Sequence, residues 1–262
     1  MTRCRALAVA LALLATTMDQ TMSQHPDHDP TATAADHGQG LLGAQPRPPS
    51  PGMPAIGTQP LGIDPGPRDG LLHVPAGYRA DRPAPAVLLL HGAGGRGEDI
   101  LPAFQALADE AGVILVVPSS QGRTWDIILG DYGPDVARID AALARVFDRY
   151  AVDPTRIAVA GFSDGASYAL SLGVMNGGLF THVLAYAPGF LAPTTTRGAP
   201  VIYITHGTGD PVLPIERCSR RIVPRLENAE YAVIYREFDG GHLIPPDLAR
   251  ESFGWFLGGA VE

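Results

Sequence analysis

Between residues 86 and 238 the chain repeats one unit: a short apolar run, a loop, then a helix-length stretch with one apolar stripe. Ala86-Val87-Leu88-Leu89-Leu90 and Val113-Ile114-Leu115-Val116-Val117 contain no polar residue. A strand that is apolar on both sides is buried on both faces, as in a sheet sandwiched between helices. Further strand-type runs follow at 156–160, 181–187, 201–205 and 231–238, and residues 70–75 read as an edge strand ended by Pro75. Ile100, Phe104, Leu107, Ala108 and Ala111 mark one helical face, stopped at Gly112. Val136, Ile139, Leu143, Val146, Phe147 and Tyr150 mark another, opened by Pro134. Helices are also expected from Pro214, with Arg217, Arg220, Arg221 and Arg225 on a solvated face, and over 248–257. This alternation predicts an α/β domain over 56–262, with a mostly parallel central sheet and helices on both faces. In such sheets ligands bind beyond the carboxyl ends of the strands.

The reactive residue types follow those strand ends. His91-Gly92-Ala93-Gly94-Gly95 comes after the run ending at Leu90. Gly161-Phe162-Ser163-Asp164-Gly165 joins a strand to a helix, the context in which G-x-S-x-G forms a sharp turn with serine at its apex. Flanking glycines let strand and helix approach closely. His206-Gly207-Thr208-Gly209-Asp210 and Asp239-Gly240-Gly241-His242 follow the last two strands. A serine hydroxyl is a weak nucleophile and needs a base; an imidazole serves, and a carboxylate holds its tautomer. Ser163, Asp210 and His242 supply these in that chain order, 47 and 32 residues apart. The glycine-rich first loop suits an oxyanion hole, with the N–H groups of Ala93 and Asp164 as expected donors. Asp239 competes with Asp210 as the acid. His91 and His206 read as turn-shaping residues, and Asp126 and Asp131 as residues that order the long loop 118–133.

These segments resemble the α/β-hydrolase superfamily. LLLHGAGG, GFSDGASYALSLG and ITHGTGDPVLP are similar to the phospholipase/carboxylesterase family, with polyhydroxybutyrate-depolymerase-like and feruloyl-esterase-like branches close behind. The resemblance covers about residues 56 to 258. It implies a serine carboxylesterase working through an acyl-enzyme, with no cofactor and no metal. The alternative is a polyester (polyhydroxyalkanoate-type) depolymerase or a feruloyl esterase; thioesterase, peptidase or a non-catalytic binding protein on the same scaffold are the remaining readings. Two positions depart from the family pattern: Gly95 stands where an acidic residue is frequent, and Asp164 where glutamine is frequent. Residues 188–199 are too few for a lid domain, so an open cleft is expected, taking a small or polymeric ester. Trp125, Phe162, Phe190 and Leu243 are its candidate wall residues; Trp125 would either line the cleft or cap the core.

A net charge of −8 without a Lys/Arg cluster argues against nucleic acid as partner. Arg3, Arg5 and the apolar stretch 6–15 suit a signal peptide over 1–24 and a secreted or periplasmic protein, the cytoplasm being the alternative; ten apolar residues are too few to span a bilayer. Residues 25–55 are proline-rich without apolar periodicity and read as a disordered linker. His25, His28 and His37 within it lack the further ligands a metal site needs. Cys4 and Cys218 are the two cysteines, and Cys218 reads as a small buried hydrophobe.

Overall fold

The computed structural model describes residues 32–52 and 54–259. The expected signal peptide lies outside the described residues. In chain order the elements are α1 (Ala34–Gly38), β1 (Gly57–Pro60), β2 (Leu71–Val74), β3 (Ala84–Leu90), α2 (Gly97–Ile100), α3 (Gln105–Ala111) and β4 (Ile114–Val117). Next come α4 (Asp126–Leu129), α5 (Pro134–Arg149), β5 (Val152–Phe162), α6 (Asp164–Met175), β6 (His182–Tyr186) and β7 (Val201–Gly207). The chain ends with α7 (Ser219–Asn228), β8 (Val233–Phe238) and α8 (Pro246–Phe256). The strands form one sheet in the order β1-β2-β4-β3-β5-β6-β7-β8. β2 runs antiparallel to its neighbours β1 and β4, and the remaining pairings are parallel.

The period of two along each strand divides the core. Leu88, Leu90, Val116, Val159, Val183 and Ile204 face the side covered by α5, α6 and α7. Val87, Leu89, Leu115, Val117, Ala158 and Leu184 face the side covered by α3 and α8. Each fully buried Val or Leu contributes roughly 1.5–3 kcal/mol, so the two faces together fix the register. All six stripe residues read for α5 are buried.

Three expectations are corrected. Residues 71–74 are not the edge, because β1 pairs outside them; its alternating, half-exposed pattern gives little apolar signal. The helix expected around 100–111 is divided into α2, a 3₁₀ turn at Leu101–Ala103 and α3. Pro102 is the cause: it fits the start of a turn but offers no N–H to a continuing helix.

The third correction concerns the expected disordered linker over 25–55. Within it, residues 32–52 are a strap packed on α5 and α6. Thr33 caps α1 in a reciprocal box with Asp36. Leu41 and Ala44 are buried. Asp140 of α5 accepts the N–H groups of Gly43 and Ala44 at 2.9 and 2.8 Å, and His37 Nε2 lies 3.0 Å from its other oxygen. Asn176 accepts from Leu42 N–H and donates to the Gly40 carbonyl, both at 2.9 Å. These anchors are polar and distant in sequence, so composition could not reveal them.

Candidate active site

Parallel strands bring their carboxyl ends to one rim. Leu90 is level with Gly161, Phe162 with Tyr186, Tyr186 with Thr205, and Gly207 with Phe238. The loops leaving those ends carry every reactive group read from the sequence.

Ser163 caps α6 with φ 57 and ψ −120, a conformation that L residues seldom adopt and that costs on the order of 1–3 kcal/mol. Close packing enforces it. A β-carbon at Gly161 would overlap the carbonyl of Gly165, and one at Gly165 would overlap the carbonyls of Leu90 and His91. The turn is pinned to the sheet by Ser163 N–H donating to the Tyr186 carbonyl at 2.9 Å.

The Ser163 hydroxyl and His242 Nε2 are 2.8 Å apart, and His242 Nδ1 is 2.6 Å from Asp210 Oδ2. A carboxylate only accepts, so Nδ1 carries the proton and Nε2 accepts from the serine. Asp210 is buried. Burial disfavours its charge, but the Leu213 N–H, the His242 imidazole and the Val212 N–H outweigh that, holding the carboxyl below its ordinary range. Both N–H groups lie 2.8 Å from Oδ1. Asp239 is exposed, and Asp210 rather than Asp239 reaches the imidazole.

Around this row the loops are braced. His206 is fully buried and donates from Nε2 to the Leu213 carbonyl at 2.8 Å, which steadies the turn that holds Asp210. Burial pushes the His206 pKa down, favouring the neutral ring. His91 accepts from Ser120 N–H at Nε2 (3.0 Å) and donates from Nδ1 to the Gly92 carbonyl (2.7 Å). Both histidines therefore hold turns. Asp126 accepts from Gly133 N–H, Asp135 N–H and the Tyr168 hydroxyl, ordering the long loop. Ala93 is exposed at the rim, and among the described residues its N–H has no backbone partner. Asp164 is the first residue of α6, where N–H groups lack intrahelical acceptors.

A cleft of about 640 Å³ opens beside the row, lined by the 91–95 loop, Asp99, Ile100, Ala103, Phe162, His242, Leu243 and Ile244. The Phe162 and His242 rings lie 4.7 Å apart. Phe162 and Leu243 thus stand where the sequence suggested. Trp125 takes the second of its two readings and packs in the core, while Phe190 stands off the cleft wall. Trp125 is wholly buried, its ring 5.1 Å from that of Tyr168 and its Nε1–H donating to the His91 carbonyl at 2.9 Å. Phe190 turns its N–H to Ser167 Oγ at 3.3 Å and is not part of the cleft wall. Ile100, Ala103 and Ile244 were missed; their apolar side chains read equally well as core. Among the described residues no group of three or more metal-ligating side chains converges, and no helix is long and apolar enough to cross a membrane.

A mostly parallel sheet with this strand order, a serine on a strand-to-helix elbow, and an acid and a histidine on later strand ends define the α/β-hydrolase fold. The solved structures agree on the fold. Esterase PE8 is 22% identical, with 71% of this chain and 98% of that chain covered and a TM-score of 0.57. The ferulic acid esterase of Anaeromyces mucronatus in complex with ferulic acid is 18% identical, with 82% and 97% covered and a TM-score of 0.58. Among curated proteins, the chain is 31% identical over 157 residues to a probable feruloyl esterase C of Aspergillus oryzae, 57% of either chain. It is 30% identical over 157 residues to feruloyl esterase C of Emericella nidulans, again 57% of either chain. The match thus spans little more than half the length of these relatives. No protein-family model matches the sequence.

Proposed function

We propose that this chain is a serine carboxylesterase. One observation carries the reading: a single imidazole is hydrogen-bonded to a serine hydroxyl at one nitrogen and to a buried carboxylate at the other. In this mechanism Ser163 Oγ attacks the ester carbonyl carbon while its proton passes to His242 Nε2. The carbonyl oxygen, now anionic, is held by the N–H groups of Ala93 and Asp164. The intermediate collapses, and the alcohol leaves with the proton from His242. Water then attacks the acyl-enzyme, losing a proton to His242, and the acid departs as the serine recovers its proton. Asp210 keeps Nδ1 protonated and stabilises the imidazolium. The test is hydrolysis of p-nitrophenyl butyrate by the wild type and its loss, with the fold retained, in Ser163→Ala. Full activity in that variant ends the reading.

A second reading narrows the acyl group. The feruloyl esterases among the relatives and the apolar cleft wall of Ile100, Phe162, Leu243 and Ile244 favour a flat aromatic acid. The cleft volume of about 640 Å³ accommodates such a group. Higher kcat/KM on methyl ferulate than on methyl butyrate supports it, and the reverse order excludes it. The apolar stretch at 6–15 supports export. N-terminal sequencing of protein recovered outside the cytoplasm checks that.

A further inference from the structure

Three consecutive residues on the loop after β4 each hold a different edge of the pocket in which the substrate's carbonyl oxygen would sit. The carbonyl of Arg123 accepts from Gly94 N–H at 2.6 Å. The hydroxyl of Thr124 donates to Asp164 Oδ2 at 2.6 Å. The indole Nε1–H of Trp125 donates to the His91 carbonyl at 2.9 Å. Gly94 and His91 bracket the loop that presents Ala93, and Asp164 carries the second donor. Thr124 and Trp125 are both buried.

We propose that residues 123–125 are a splint that sets the gap between the two oxyanion donors, with the Thr124–Asp164 hydrogen bond as its positioning contact. The proposal rests on the esterase reading above. A donor stabilises an oxyanion only when held about 2.7–3.1 Å from it. The 91–95 loop has three glycines and little stiffness of its own. α6 is rigid, but its first residue places a carboxylate one position from the nucleophile. Left loose, that carboxylate would turn to the free N–H groups of its own helix terminus and set negative charge beside the forming oxyanion. The Thr124 hydroxyl fixes it on the splint instead. Because the neighbouring residues of the splint hold Gly94 and His91, both donors are referred to one rigid frame. Trp125, which is not a wall of the cleft, thereby acquires a role through the main chain of His91.

The experiment compares wild type, Thr124→Val and Thr124→Ser. It measures kcat and KM on p-nitrophenyl butyrate, and affinity for a trifluoromethyl ketone. That ketone forms a bond from Ser163 Oγ to its carbonyl carbon, passes the serine proton to His242 and leaves a tetrahedral oxyanion. Thr124→Val should lower kcat about ten- to a hundredfold with KM little changed, because a small misplacement of a donor acts on the transition state. Affinity for the ketone should fall by a similar factor, and Thr124→Ser should restore both. Thr124→Ala is read in the same way if the valine variant does not fold. The splint is overturned if folded Thr124 variants keep wild-type kcat, if kcat falls without weaker ketone binding, or if serine restores neither. A wild type without Ser163-dependent turnover overturns the esterase reading and the splint together. An active wild type with indifferent Thr124 variants removes the splint alone.

Discussion

Gly165 lies against the carbonyl oxygen of Leu90 so closely that a β-carbon at 165 would overlap it. This contact brings the start of α6 against the end of β3. It is what allows Ser163 to stand next to the glycine-rich loop, where a β-carbon at Gly92 would lie 3.4 Å from Ser163 Cβ. Gly165→Ala forces the helix away from backbone atoms that cannot give. We expect it to lose about 1–3 kcal/mol of stability and most of its turnover of p-nitrophenyl butyrate. Urea denaturation and p-nitrophenyl butyrate turnover measure the two; a variant that keeps both would show that the elbow tolerates a looser fit.

Asp210 and Asp239 are separated by their reach to His242. Asp210→Asn keeps the shape but no longer forces the proton onto Nδ1, so kcat should fall by about 10³- to 10⁴-fold. Asp239→Asn, on the exposed side of the same loop as His242, should leave kcat close to that of the wild type. Steady-state kinetics of the two variants decide the assignment.

Trp125 divides packing from substrate contact. Its side chain is wholly buried between His91 and Tyr168. Trp125→Ala should therefore cost about 3–5 kcal/mol. Trp125→Phe keeps an aromatic side chain but a smaller one and leaves the His91 carbonyl without its donor, costing about 1–3 kcal/mol. Neither should change the order of preference along a series of p-nitrophenyl esters. A reordered series would return Trp125 to the cleft wall.

Asp135 makes stability depend on pH. Burial, with the charge of Asp126 adding to it, pushes its pKa up to about 6 against the N–H groups of Gln121 and Asp126. The unfolded value is about 3.9. Between these values the folded chain binds more protons at this site than the unfolded chain, so its contribution to stability falls as pH rises from about 4 to 6 and is level above. Asp135→Asn removes that titration. The wild type should lose ground to the variant across this window and keep a constant difference from pH 7 to 8. Urea midpoints at each pH give the curve, and a flat difference would mean that Asp135 ionises normally in the fold.

The strap over residues 32–52 hangs on Asp140. Asp140→Ala leaves the N–H groups of Gly43 and Ala44 without an acceptor and His37 without its partner. The expected cost is about 2–4 kcal/mol. Limited proteolysis should cut the variant within the strap before the domain opens. Equal resistance in both proteins would show that Leu41, Ala44 and Asn176 hold the strap unaided.

The sequence by itself determined the parallel part of the sheet, most of its covering helices and the three side chains of the row. Apolar runs on both faces of a strand have few places to go, and reactive residues at successive strand ends must share a rim when the strands are parallel. The pairing of β1, the packing of the strap and the direction of Trp125 were decided only by tertiary structure. Each depends on hydrogen bonds or on a choice of face between residues far apart in the chain: Asp140 with Gly43 and Ala44, Trp125 with His91. Local composition records which groups a residue offers, but not which distant partner the fold brings within 3 Å of it.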